Sequence, residues 1–188
     1  MSFLDTTGPV AKDQWIYRQR SDDPDLLHYV TAKGIEGTGL FKDDTDRHSF
    51  LERFACILDE TQTQCYSWAL IPDQFHLLLQ TDPIPLSKVM HRLMTGYAVT
   101  FNKRHRRSGY LFESRYNSIS YENDGCLLDL IRYIHLIPFQ EKVVRDIDDL
   151  DKYPWSGLSG ILDYSRNPFI PEIRGQAPRD RQTASKRT

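Results

Sequence analysis

Two periodicities of hydrophobic residues divide the chain into strands and helices. Runs rich in β-branched and aromatic residues predict strands at 28–33, 65–71, 75–80 and 116–121. Apolar residues three or four positions apart predict a helix after the capping residues 44–46 and a long helix over 86–104. They predict a third helix after 123–124, ending at Pro138. Pro72 and Asp73 predict a tight turn, so the second and third strands should pair as a hairpin.

The order of these elements is β-α-β-β-α-β-α, which predicts an α+β fold of the ferredoxin-like class. Such a fold has an antiparallel sheet, and we expect the helices on one face of it. The domain is expected to span residues 26–165. Residues 1–25 are polar and rich in turn formers, which predicts an irregular lead-in. Residues 166–188 are basic and lack an apolar pattern, which predicts a disordered tail.

Composition narrows the class of protein. The chain has 188 residues, 39% hydrophobic and 27% charged, as is typical of one globular domain with a substantial core. No apolar run approaches the ~20 residues of a membrane helix, so no membrane partner is expected. Three widely spaced cysteines exclude a disulfide framework and a CxxC zinc site. With no signal-peptide pattern at residues 1–10, they predict a cytoplasmic protein.

The net charge of -2 conceals a strongly basic stretch. Residues 86–116 contain seven Lys or Arg against one Glu, a local net charge of +6, whereas acidic residues collect at 43–46 and 146–151. Five of these cations lie at and beyond the end of the long helix: Lys103, Arg104, Arg106, Arg107 and Arg115. They are interpreted either as a phosphate-binding surface or as a solvated helix end.

Four motifs occur in a fixed order along the chain. They are IPDQFHLLL at 71–79, SGYLFESRY at 108–116, RYIHLIP at 132–138 and YPWS at 153–156. With HYVTAKG at 28–34 and FNKRH at 101–105, they resemble the small single-tyrosine HUH transposases, and more narrowly the REP-associated tyrosine transposases. The resemblance extends from about residue 27 to 162.

The resemblance implies a ferredoxin-like fold and a defined chemistry. Members of the family cleave and rejoin single-stranded DNA beside hairpins, and a tyrosine holds the 5′ end as a phosphotyrosine. A divalent ion, Mg²⁺ or Mn²⁺, polarises the phosphate, because a phenol is a poor nucleophile unless its target is made more electrophilic. Two histidines at positions i and i+2 of a strand point to the same face and hold this ion. Single-stranded or hairpin DNA is therefore the expected partner, and a homodimer is compatible with the resemblance.

The resemblance assigns Tyr133 as the nucleophile and His76 as the second histidine of the metal-binding triplet. The first histidine position holds Gln74, which keeps an oxygen that a hard cation accepts. The position of a further polar ligand, four residues after the tyrosine, holds Ile137. We expect the helix carrying Tyr133 to pack across the sheet face that bears Gln74 and His76, with the tyrosine hydroxyl near the His76 ring. Ile137 should point into the same cleft.

These departures leave two main hypotheses. In the first, the protein is an active transposase with a weakened metal site. In the second, it is a catalytically impaired, domesticated protein that binds DNA hairpins and cuts them slowly or not at all. A third, an RNA-binding ferredoxin-like module, would need aromatic residues at RNP-like positions, and no such motif is present. In each transposase hypothesis, the five cations from Lys103 to Arg115 are expected to face DNA.

Overall fold

The computed structural model describes residues 17–19, 26–81, 84–122 and 126–158. The strands are β1 (Tyr17–Gln19), β2 (Leu26–Lys33), β3 (Gln64–Ile71), β4 (Gln74–Gln80) and β5 (Asn117–Glu122). The helices are α1 (Asp44–Thr61), α2 (Leu86–Arg104) and α3 (Leu127–Gln140), followed by a 3₁₀ turn at Leu150–Lys152. From β2 onwards this order confirms the predicted β-α-β-β-α-β-α arrangement. None of the helices in this part of the chain is long and apolar enough to span a membrane.

The strands form one antiparallel sheet in the order β1-β5-β2-β4-β3. The predicted hairpin is confirmed, because Ile71 pairs with Gln74 and leaves Pro72 and Asp73 as its two-residue turn. β2 lies between β5 and β4, so the centre of the sheet is formed by strands that are distant in sequence.

The short strand β1 pairs with β5 and lies inside the segment 1–25 that the sequence predicted to be irregular. The prediction was wrong for these three residues. β1 forms because it pairs with the outer edge of β5, which is about one hundred positions away in sequence. No local pattern in residues 17–19 indicates this pairing. The other residues of this segment, and the predicted tail 166–188, lie outside the described residues.

Helices α1 and α2 cover one face of the sheet. Asp43 caps α1, and its side chain accepts a hydrogen bond from the backbone amide of Asp46. Phe50 and Phe54 on α1 and Leu93 and Tyr97 on α2 are almost fully buried in the same core cluster. The alternate residues Phe75, Leu77 and Leu79 of β4 complete this core from the sheet side.

Helix α3 lies on the opposite face, so the expectation that all helices share one face was wrong. Leu130, Ile134 and Ile137 of α3 are buried in a second core cluster with Tyr29 and Leu78. β4 is apolar at nearly every position from 75 to 79, so both of its faces need a cover. A sheet buried on both sides requires helices on both sides.

Pro138 was predicted to end the third helix, yet α3 continues to Gln140. A proline removes one backbone donor, which is tolerated here because only the last turn follows it. The Pro138 carbonyl accepts hydrogen bonds from the amides of Val143 and Val144, which closes the helix end.

Candidate active site

Tyr133 and His76 lie on the same side of the sheet and in the same region. His76 is on β4 opposite Thr31 of β2 and Ala69 of β3, and its side chain points to the α3 face. Tyr133 lies on α3 and packs against the core cluster that this helix forms with the sheet. Both side chains contact Tyr29 of β2.

Tyr29 stands between the two candidate residues. Its hydroxyl is 2.8 Å from Nδ1 of His76, and the two rings are stacked with centroids 6.1 Å apart. The Tyr133 ring meets Tyr29 edge-on, with centroids 5.9 Å apart. Sequence reasoning did not identify Tyr29, because a tyrosine in a strand reads as a packing residue. The sequence shows only that Tyr29 and Thr31, two positions apart on one strand, point to the same face of the sheet. The strand register, which places Thr31 opposite His76, is known only from the structure.

Burial controls the protonation of these three groups. It lowers the pKa of His76 to about 4, so the imidazole is neutral near pH 7. Burial also raises the pKa of the Tyr133 phenol, and a hydrogen bond from Tyr29 partly opposes this. The Tyr29 pKa rises mainly through burial and then through the charge of Tyr133. Tyr133 is therefore a neutral phenol near pH 7 and needs activation to act as a nucleophile.

The cleft offers few ligands for a divalent ion. Nε2 of His76 is buried and has no hydrogen-bond partner, as a ligand nitrogen requires. Gln74 is half-buried, two positions before it on the same strand. Ile137 is 2% exposed and packs in the apolar core under α3. Among the residues that the structure describes, no three His, Cys, Asp or Glu side chains come together as a metal site. His76 supplies one imidazole nitrogen and Gln74 one amide oxygen, and the Glu141 carboxylate is close enough for its charge to raise the pKa of Tyr133.

His135, two positions after Tyr133, is not part of this cleft. It is buried beside the chain that follows the 3₁₀ turn, where the position of a Cβ on Gly157 would be 3.3 Å from its Nε2. Burial lowers its pKa to about 4. The helical offset from Tyr133 therefore turns it towards the β3 edge of the sheet.

Arg104, one of the five candidate DNA-facing cations, is engaged within the fold. Its guanidinium donates to Asp43 at 2.7 Å and also to the buried Asp46, which joins the end of α2 to the start of α1. His105 Nε2 lies 2.9 Å from the same Asp46 carboxylate. The acidic run and the basic run, separate in sequence, thus neutralise each other in part where they meet.

Arg107 is also held by neighbouring groups. It donates to the side-chain oxygen of Asn102 at 2.9 Å and to the Tyr110 carbonyl at 3.1 Å. Lys103, Arg106 and Arg115 are exposed, and none of them forms an ion pair with any described residue. Together with Arg107, whose two hydrogen-bond partners are neutral, they carry positive charge that is not paired with any described acidic residue.

The basic loop between α2 and β5 is attached to the same end of the sheet as Gln74. The Ile35 amide donates to the Leu111 carbonyl at 3.0 Å, and the Glu113 amide to the Lys33 carbonyl at 3.0 Å. Lys33 in turn is the register partner of Gln74. The cations of this loop and the Gln74–His76 strand therefore occupy adjoining parts of the molecule.

Comparisons with known proteins bear on the fold and the family of this chain. A solved structure of a REP-associated tyrosine transposase bound to a REP hairpin matches with a TM-score of 0.64 and 11% identity. The match covers 81% of this chain and 88% of that one, and it supports the fold. A search of curated proteins finds no match. The family model for IS200-like transposases matches residues 31–136, more than half of the sequence. The fold, the motif order and this match lead to one conclusion: the chain belongs to the IS200-like transposase family.

Proposed function

We propose that this protein binds single-stranded or hairpin DNA and that Tyr133 is its nucleophile for strand cleavage, in a site whose catalysis is impaired. The observation that carries the proposal is the contact chain from Tyr133 through Tyr29 to His76. It brings a phenol, the residue type that the family uses for covalent chemistry, to a buried imidazole with a free nitrogen.

Binding is supported by charge and by position. Arg106 and Arg115 present unpaired positive charge on the loop that adjoins the Gln74 end of the sheet, and Lys103 adds to it from the last turn of α2. Phosphate contacts of this kind supply most of the sequence-independent affinity for DNA. The similar transposase of known structure binds a DNA hairpin, and we extend that ligand class to this chain.

In the proposed reaction the Tyr133 oxygen attacks the scissile phosphorus. A bond forms from that oxygen to phosphorus, the bond to the 3′ oxygen breaks, and the 5′ end remains as a phosphotyrosine. The departing 3′ oxygen needs a proton, and the attacking phenol must lose one. The phosphotyrosine ester conserves the free energy of the phosphodiester bond that is cleaved, so rejoining the DNA strand needs no external energy source.

The proposed impairment of catalysis follows from the residues at the metal-ligand positions of the family. Mg²⁺ or Mn²⁺ on the phosphate would offset the charge that develops during attack. Ile137 supplies no donor atom, and Gln74 supplies a neutral oxygen where the family has an imidazole. We therefore propose weak metal binding and slow cleavage. The loss of one electrostatic stabiliser commonly costs about 10²–10³ in rate.

Restoring the ligands tests this proposal. The unmodified protein and a Gln74→His, Ile137→Asn double variant are incubated with Mn²⁺ and hairpin oligonucleotides that have single-stranded flanks. The double variant should form more covalent protein–DNA adduct and bind Mn²⁺ more tightly, and Tyr133→Phe in the same background should abolish the adduct. Gln74→Asn with Ile137→Leu is the matched control, because it changes both positions without adding the imidazole or a polar group in place of Ile137.

Two results would contradict the proposal. If the unmodified protein cleaves hairpin DNA as fast as the double variant, the site is not impaired. If an adduct persists in the Tyr133→Phe variant, the nucleophile is another residue. Hairpin binding without any adduct in either protein would favour a domesticated binding protein that has lost cleavage.

A further inference from the structure

Tyr110 is the most exposed large hydrophobic residue of the described chain. It is 87% exposed and lies in the loop between α2 and β5. Its neighbours in sequence behave differently, since Leu111 is 1% exposed and Phe112 packs edge-on against Phe75 with centroids 6.2 Å apart. The loop thus packs two of its three consecutive hydrophobic residues against the core, Leu111 fully and Phe112 partly buried, and leaves one aromatic ring in water.

The backbone that carries Tyr110 is fixed on both sides. The Asn102 side-chain amide donates to the Gly109 carbonyl at 2.9 Å, and Arg107 donates to the carbonyl of Tyr110 itself. Gly109 has a φ of +92°, a conformation that glycine adopts without strain. After Tyr110, Leu111 is anchored by its carbonyl to the Ile35 amide. The ring therefore projects from a held segment, and little backbone freedom would be lost when a ligand packs on it.

Positive charge without an acidic partner flanks this ring along the chain. Lys103 and Arg106 precede it and Arg115 follows it, and none forms an ion pair with a described residue. An aromatic face beside such cations is the combination by which proteins bind single-stranded nucleic acid: bases stack on the ring while phosphates meet the cations. The other exposed large apolar residues of the described chain, such as Leu128 and Ile147, belong to other elements, and none of them lies in the α2–β5 loop.

We propose that Tyr110 is the stacking platform for one unpaired base of the bound DNA, in the single-stranded segment next to the hairpin stem. This inference rests on the proposed DNA binding and adds a subsite to it. Inside a duplex both faces of a base are covered by its neighbours. A free base therefore gains most from the ring, and Tyr110 discriminates strands with an unpaired tail from fully paired DNA.

The test measures binding, not cleavage. Fluorescence anisotropy gives the affinity of the full chain for two stem-loop DNAs of identical stem, one blunt and one with a single-stranded thymidine tail. Tyr110→Ala should weaken binding of the tailed DNA by about 5- to 100-fold, as expected for one lost base stack. Affinity for the blunt DNA should stay unchanged. Tyr110→Trp should retain tail binding, and Val99→Ala, at another exposed apolar residue, is the matched control.

The outcomes separate this subsite from the proposed function. If Tyr110→Ala binds the tailed DNA as tightly as the unmodified protein, the stacking subsite is refuted while DNA binding stands. An equal loss on blunt and tailed DNA also overturns it, because the ring would then act on the stem or loop that the two DNAs share and not on the tail. If the unmodified protein binds neither DNA, the proposed function itself fails.

Discussion

At the scale of single residues, Tyr29 explains how Tyr133 and His76 are held together. Its ring contacts both side chains, and its hydroxyl is within hydrogen-bonding distance of Nδ1 of His76. A hydrogen bond at Nδ1 fixes the orientation of the imidazole and leaves Nε2 directed elsewhere. The arrangement depends on one hydroxyl group, so its removal is informative.

Tyr29→Phe should keep both ring contacts and lose that hydroxyl. His76 Nδ1 would then be buried without a partner, which costs about 1–3 kcal/mol. We expect the free energy of unfolding in urea to fall by that amount. Tyr133→Phe is the control, because it leaves the bond between Tyr29 and His76 intact and should cost less. Equal stability of Tyr29→Phe and the unmodified protein would show that water replaces the hydroxyl.

Two buried histidines make stability depend on pH. Burial lowers the pKa of His76 and of His135 to about 4, below the 6.5 of the unfolded chain. The unfolded state therefore binds protons first, and stability that is complete above pH 6.5 is lost as the pH falls towards 4.

We expect the unfolding free energy, measured in urea at a series of pH values, to decrease over that range by up to about 3 kcal/mol per histidine. His135→Gln should flatten the dependence. A pH dependence that His135→Gln does not alter would contradict the burial of this imidazole.

At the scale of elements, the start of α1 and the end of α2 are joined by charge. Asp43 caps α1 and also accepts from Arg104, and the hydrogen bond from Arg104 lowers the pKa of the Asp43 carboxyl. A cation at a helix C-terminus and carboxylates at a helix N-terminus are each placed favourably in the helix dipole. This contact gives Arg104 a structural role within the basic segment.

Arg104→Gln should therefore lower the midpoint of thermal unfolding, and Arg106→Gln should not, because Arg106 forms no ion pair with a described residue. Arg104→Lys should restore only part of the loss, since an ammonium cannot bind two carboxylates in the fork geometry of a guanidinium. Differential scanning calorimetry checks all three variants. Equal midpoints for Arg104→Gln and the unmodified protein would show that this contact contributes nothing to stability.

At the scale of the whole molecule, the α2–β5 loop, which follows Lys103 and carries Arg106 and Arg115, is attached to the end of β2 at the Gln74 end of the sheet. A DNA strand that passes along Lys103, Arg106 and Arg115 would approach the Gln74 end of the sheet. This predicts binding that is mainly electrostatic.

Lys103→Glu with Arg106→Glu should weaken oligonucleotide binding and make it less sensitive to salt. Each lost phosphate contact reduces the slope of log affinity against log salt concentration by about 0.7–0.9. Lys88→Glu with Lys152→Glu changes the net charge equally at exposed sites away from this loop, and its affinity should stay near that of the unmodified protein. Fluorescence anisotropy titrations at several salt concentrations measure the oligonucleotide affinity of both double variants. Identical losses of affinity would indicate an effect of net charge alone.

Local pattern was sufficient to predict the type and order of the elements from β2 onwards. The predicted and observed bounds of α2 are identical, and the hairpin at Pro72 and Asp73 is as expected. These features depend on interactions between residues a few positions apart, which the spacing of apolar residues and the identity of turn residues encode directly. The order of the elements then limited the fold to the ferredoxin-like class.

The tertiary structure alone decided three things. It placed α3 on the opposite face, because β4 buries both of its sides. It paired Arg104 with Asp43, 61 positions apart, and so changed which cations remain free. It set Tyr29 between Tyr133 and His76. Each of these results comes from contacts between segments that are distant in sequence, and no local period specifies which distant surfaces will meet.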